Sequence, residues 1–119
     1  MEVYDLEPGA SSTLANLSTR GFVGAGDNVM IGGLIIGSGG SPIVVLRAIG
    51  PSLASSGIAF NDDWRIPQTL AVRATNLAPT DNREAAIVAP FLTPGNYTAI
   101  VRSKGNTTGL ALVEVYRIP

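Results

Sequence analysis

The sequence contains no cysteine and no histidine. The first absence excludes disulfides, thiol nucleophiles and ordinary zinc sites, and the second removes the base of a Ser-His-Asp triad. Charge is scarce as well, at 14% of residues against about 25% in an average soluble domain. Eight basic and nine acidic side chains leave a net charge of −1, so no electrostatic footprint for nucleic acid exists. No cleavable leader pattern opens the chain, as expected of an internal or mature segment. What the chain has in plenty is glycine, 14 residues, and proline, 8, among short apolar runs. Its 119 residues suit one domain, able to bury roughly 65% of its unfolded surface without metal or disulfide staples.

The segment Asn28 to Leu46 runs nineteen residues without a charge, long enough to span a bilayer. Gly32, Gly33, Gly37, Gly39, Gly40 and Pro42 break it, and Gly37 to Pro42 is a turn cluster. The segment therefore reads as two strands, Asn28–Ile36 and Ile43–Ile49, and no membrane span is expected. The same pattern recurs elsewhere. Leu14–Val23 alternates and ends in a Gly-Ala-Gly-Asp-Asn turn, Tyr97–Arg102 follows Pro94-Gly95-Asn96, and Leu110–Ile118 is the longest β-like run. Lys104 to Gly109 reads as a hairpin loop between the last two. Val29, Ile31, Ile35, Val45, Ile100, Val113 and Val115 are the expected core. Ile66–Asn76 has room for a helical turn. Asp81 with Glu84 three residues on has the form of a helix-opening capping box, although Ala85–Val88 is too short to assign. The expected fold is all-β, an antiparallel β-sandwich (jelly-roll-like) with little or no helix.

Glu2-Val3-Tyr4-Asp5-Leu6 nearly repeats Glu114-Val115-Tyr116-Arg117-Ile118. A strand copied at both ends is what a unit of a tandem array would show, with Glu7–Thr13 as the linker. Residues 1–13 then form an N-terminal strand and linker, and 14–119 one β-sandwich domain.

Leu14 to Val23, followed by Gly26-Asp27-Asn28-Val29-Met30-Ile31-Gly32-Gly33, resembles a repeat domain of long secreted bacterial surface proteins. Arg47-Ala48-Ile49-Gly50-Pro51-Ser52-Leu53, Asn61-Asp62-Asp63-Trp64-Arg65 and Leu77 to Asp81 carry the resemblance further, and Leu92 to Arg102 with Gly109 to Tyr116 carry it best. More distantly, the Asn-Asp-Asp-Trp and Pro-Gly-x-Tyr-Thr segments are similar to secreted β-sandwich modules appended to bacterial peptidases. The resemblance implies an extracellular or cell-surface location in a bacterium and a structural or adhesive role, with no enzymatic activity attached to the family. It also implies a further strand between the residues matching Phe60 and Asn61, where this chain has none. Glu2, Val3, Tyr4, Asp5 and Leu6, followed by Pro8-Gly9, have the pattern of the lost piece. They could fill its place in their own molecule or in a neighbour.

Two other sites are candidates. Asp62, Asp63, Asp81 and Glu84 form the densest group of oxygen ligands, and two acidic loops brought together could hold calcium. Turn chemistry is the alternative for the same residues. Trp64, the only tryptophan, could stack on a sugar as part of a glycan site, or seal one end of the sandwich. No cofactor is expected beyond that calcium. Gly32 to Ser38 lacks the lysine of a phosphate loop, and Gly50-Pro51-Ser52 lacks the second glycine of a nucleophile elbow. The expected function is a non-enzymatic structural or adhesive domain that forms a homo-oligomer or filament by strand exchange. The alternative is a secreted carbohydrate- or calcium-binding module.

Overall fold

The structure, a computed structural model, describes residues 16–38, 42–49, 53–56 and 61–118, and for 53–56 the backbone alone. The described residues form seven strands and one short helix: β1 Asn16–Val23, β2 Met30–Ile36, β3 Ile43–Ile49, β4 Leu53–Ser56, α1 Thr69–Ala74, β5 Ala85–Ala89, β6 Gly95–Ser103 and β7 Gly109–Ile118. All pairings are antiparallel. A four-stranded sheet has the order β1-β7-β3-β5, and a three-stranded sheet the order β2-β6-β4. Odd-numbered strands thus occupy one sheet and even-numbered strands the other, so every connection passes between sheets. The fold is all-β, as the short apolar runs predict.

The stretch Lys104 to Thr108 is consequently not a hairpin loop, because β6 and β7 lie in different sheets. Both strands carry one apolar face, and these faces meet across the interior instead of lying side by side. Val101 of β6 packs with Val23, Ala48, Ala85, Ala111 and Val113 of the larger sheet to form the core between the sheets.

A second core covers the outer face of the four-stranded sheet. Val45, Ala86 and Val88 are packed there under Trp64 and Val72, with Ile43, Leu77, Tyr116 and Ile118 at its border. The Ile66–Asn76 stretch does contain a helix, the six residues of α1, and Val72 is its one buried side chain.

Of the expected core, Val45 and Val113 are buried at 0% and 5% exposure, and Val29, Ile100 and Val115 are half-buried. Ile31 and Ile35 are not core residues, at 63% and 76% exposure. Successive side chains of a strand point to opposite faces, and β2 turns Met30, Gly32 and Leu34 inward. Met30 then lies so close to Gly21 that a Cβ there would come within 2.7 Å of its Sδ. The bare Gly21 backbone lets β1 and β2 approach.

Candidate functional site

The expected capping box is absent. The Asp81 carboxylate accepts the Arg83 N–H at 2.8 Å and the Arg83 guanidinium, and the next residues enter β5 instead of a helix. Pairing with β3 decides this, since Ala85 stands opposite Ala48 and Val88 opposite Val45. The hydrogen bonds from Arg83 hold the Asp81 carboxyl at about 2. Asp63 makes the same local turn, with Arg65 donating from its backbone at 2.9 Å and from its side chain, and its carboxyl is likewise held low. Asp62 accepts a hydrogen bond from Lys104 Nζ at 2.7 Å, and that bond raises the lysine's pKa.

The two acidic loops do meet. Trp64 donates its backbone N–H to the Glu84 carbonyl at 3.0 Å and its ring N–H to the Asp81 carbonyl at 3.2 Å. The contact runs through tryptophan and backbone, however, and Asp62, Asp63 and Asp81 are each occupied by a cation. Among the described residues no group of three or more acidic side chains is gathered where it could hold a metal ion. Trp64 itself is 5% exposed, with the Arg73 guanidinium 5.7 Å from its ring centre. Of the two roles open to Trp64, sugar platform or buried seal, its position is that of a core side chain, filling the gap between the loops and the outer face of the sheet.

Next to this core lies a polar cluster that sequence patterns did not indicate. Arg47 on β3 donates from Nε to Glu114 Oε2 on β7 at 2.8 Å and from Nη1 to the Leu77 carbonyl at 2.9 Å. Tyr116 donates its hydroxyl to the same carboxylate oxygen at 2.7 Å, which raises the tyrosine's pKa. Glu84 is 8% exposed, its Oε2 has no hydrogen-bond partner among the described residues, and burial raises its pKa. Arg47 and Glu114 look locally like ordinary surface charges. Only their pairing across two distant strands marks them, and a spacing rule cannot see it.

The sheet edges differ in what they offer another chain. On β5, the Gln68 side chain donates to the Val88 carbonyl and accepts its N–H, both at 2.9 Å. Asn61 accepts the Ala86 N–H at 3.2 Å and donates to the Asp63 and Ile66 carbonyls. These two side chains occupy the backbone groups that another strand would need, so this edge is closed. In the other sheet, β4 has β6 as its one partner among the described residues, and it covers β6 only from Ile100 to Ser103. Between the sheets on this side is a cavity of about 350 Å³, lined mainly by apolar groups that include Leu34, Leu46, Ile87, Tyr97 and Ala99.

Glu2, Val3, Tyr4, Asp5 and Leu6, the linker after them, and Phe60 lie outside the described residues. None of the described helices is long and apolar enough to cross a membrane. Comparison of the chain with protein-family models, curated proteins and solved structures returns no match.

Proposed function

We propose that this chain is a non-enzymatic structural or adhesive domain of a bacterial extracellular protein, and that it self-associates by strand exchange into an oligomer or filament. The observation that carries the reading is the unequal pair of sheets, four strands against three among the described residues. A jelly roll of eight strands has room for a fourth strand in the smaller sheet. The place for it follows β4, in the stretch before Asn61. There the resemblance to secreted bacterial repeat domains calls for a further segment between the residues matching Phe60 and Asn61, and this sequence runs directly from one to the other. Glu2–Leu6 carries the matching pattern. An edge strand with free backbone groups takes up an extended segment by main-chain hydrogen bonding, and insertion into the next copy is a head-to-tail contact that propagates unless it closes a ring.

Deleting residues 1–8 and measuring the mass by light scattering tests the proposal. The expected result is an assembly for the full chain and a monomer after deletion. Equal masses for both would overturn it.

A calcium- or carbohydrate-binding module is the second reading, although the acidic loops meet through buried Trp64 and backbone, with Asp62, Asp63 and Asp81 each paired to a cationic side chain. A rise in melting temperature with calcium or a polysaccharide, reversed for calcium by EDTA, would favour it, because a ligand stabilises the state it binds.

A further inference from the structure

We infer that the acceptor for the exchanged strand is the cavity between the sheets on the β4 side, and that Tyr4 and Leu6 of a second copy are the side chains that enter it. This inference rests on strand exchange as proposed above and adds the place, the face and the anchoring residues.

Four observations lead there. First, Gln68 and Asn61 close the β5 edge, which leaves the edges at β1, β2 and β4 to a new strand. Second, β2 covers one side of β6 from Gly95 to Val101, whereas β4 covers the other side only from Ile100 to Ser103. The Gly95 to Ala99 stretch thus has one side without a strand partner among the described residues. Tyr97 and Ala99 from this stretch line the cavity, facing Leu46 and Ile87 of the larger sheet.

Third, the cavity is a cleft partly open to solvent, with room for far more than one water molecule, which takes up about 30 Å³. A space of about 350 Å³ walled by leucine, isoleucine, alanine and tyrosine suits large apolar side chains. Alternation within Glu2–Leu6 puts Glu2, Tyr4 and Leu6 on one face, and Val3 and Asp5 on the other. The first face offers an aromatic and a branched aliphatic group, with Glu2 at the end where it can reach solvent. The second would bury an aspartate. In the near-copy β7 the corresponding face is the one that packs under the loops, with Tyr116 and Ile118 against the outer core and Glu114 paired to Arg47.

Fourth, the segment starts at the right level. Asn16, Tyr116, Val45 and Val88 form one row across the larger sheet, next to the row that holds Leu46 and Ile87. The ten residues from Leu6 to Asn16 can stretch over about 33 Å. That is ample to leave one domain and enter its neighbour.

The test uses full-length chains. Y4A/L6A removes the anchors, and Ala99→Phe fills the acceptor from its β6 wall, with Ala89→Leu from the β5 wall as an independent second variant. Each variant alone should be a monomer with the parent's circular dichroism. An equimolar mixture of Y4A/L6A with either wall variant should give a heterodimer and nothing larger, because only one working donor and one working acceptor remain. V3A/D5A should assemble within a fewfold of the parent's affinity, whereas Y4A/L6A should stay monomeric at concentrations at least tenfold above those at which the parent assembles. Disassembly by V3A/D5A but not by Y4A/L6A would overturn the assigned face while leaving strand exchange intact. Undisturbed assembly of both wall variants would overturn the assigned cavity. Displacement of the parent's own assembly by a small apolar probe such as a naphthalene dye would support the cavity as the acceptor. A parent chain that never assembles would instead remove the functional reading itself.

Discussion

Arg47 and Glu114 stand directly opposite each other in the β3–β7 register, and the guanidinium reaches past the carboxylate to the Leu77 carbonyl. Their side chains are only 15% and 10% exposed. One residue therefore ties two central strands to the loop that covers them.

Breaking this pair on one side should be severe. Glu114→Gln or Arg47→Met strands a buried charge and should cost about 3 kcal/mol, whereas the double replacement Arg47→Met/Glu114→Leu should cost much less. Urea denaturation of the three variants checks this, and equal costs for single and double changes would contradict it.

Glu84 predicts a pH effect of definite sign. Burial raises its pKa, so the folded protein binds this proton more tightly than the unfolded chain. Its contribution to stability is therefore best in acid and declines as the pH rises from the ordinary glutamate range through the raised value. Glu84→Gln should stabilise the protein at pH 7, and the advantage should vanish toward pH 4. Asp63 and Asp81 act in the opposite sense. Their lowered values mean that stability is lost as the pH falls below the usual aspartate range. Melting curves from pH 3 to 8 for parent and variant show both effects.

Gln68 should matter more than its place in a short helical stretch implies. Gln68→Ala removes the partners of two backbone groups of Val88, which is itself nearly buried. The expected cost is about 1–3 kcal/mol, together with aggregation through the reopened β5 edge. Turbidity during a thermal ramp reads the second effect. A variant as soluble as the parent would show that the edge needs no closing.

Core substitutions separate the two faces of the strands. Val45→Ala and Val113→Ala should each cost about 1–3 kcal/mol through lost burial and a residual cavity, whereas Ile35→Thr should stay within about 0.5 kcal/mol.

Five of the seven described strands were legible because each is a short apolar run closed by turn residues; β4 (Leu-Ala-Ser-Ser) has no such run, and β5 was too short to assign. Ile43–Ile49 has the same ends in sequence and structure, and β1, β2, β6 and β7 differ only at their margins. Which face points inward was not legible on β2. Ile31, Gly33 and Ile35 look more like core than Met30, Gly32 and Leu34, yet the second set faces inward, with Met30 packed against the core between the sheets. Pairing was hidden as well. The loop before β7 has the composition of a hairpin, but a strand that fits between β1 and β3 must leave its neighbour in sequence. The edge closure by Gln68 and Asn61 and the Arg47–Glu114 pair depend on residues 20 to 67 positions apart, beyond any local pattern.

The concentration dependence of the mass of the intact chain tests self-association most directly. Sedimentation velocity across a hundredfold range of concentration should show species at multiples of 12.3 kDa that grow in size as concentration rises. A single 12.3 kDa species over the whole range would contradict the account.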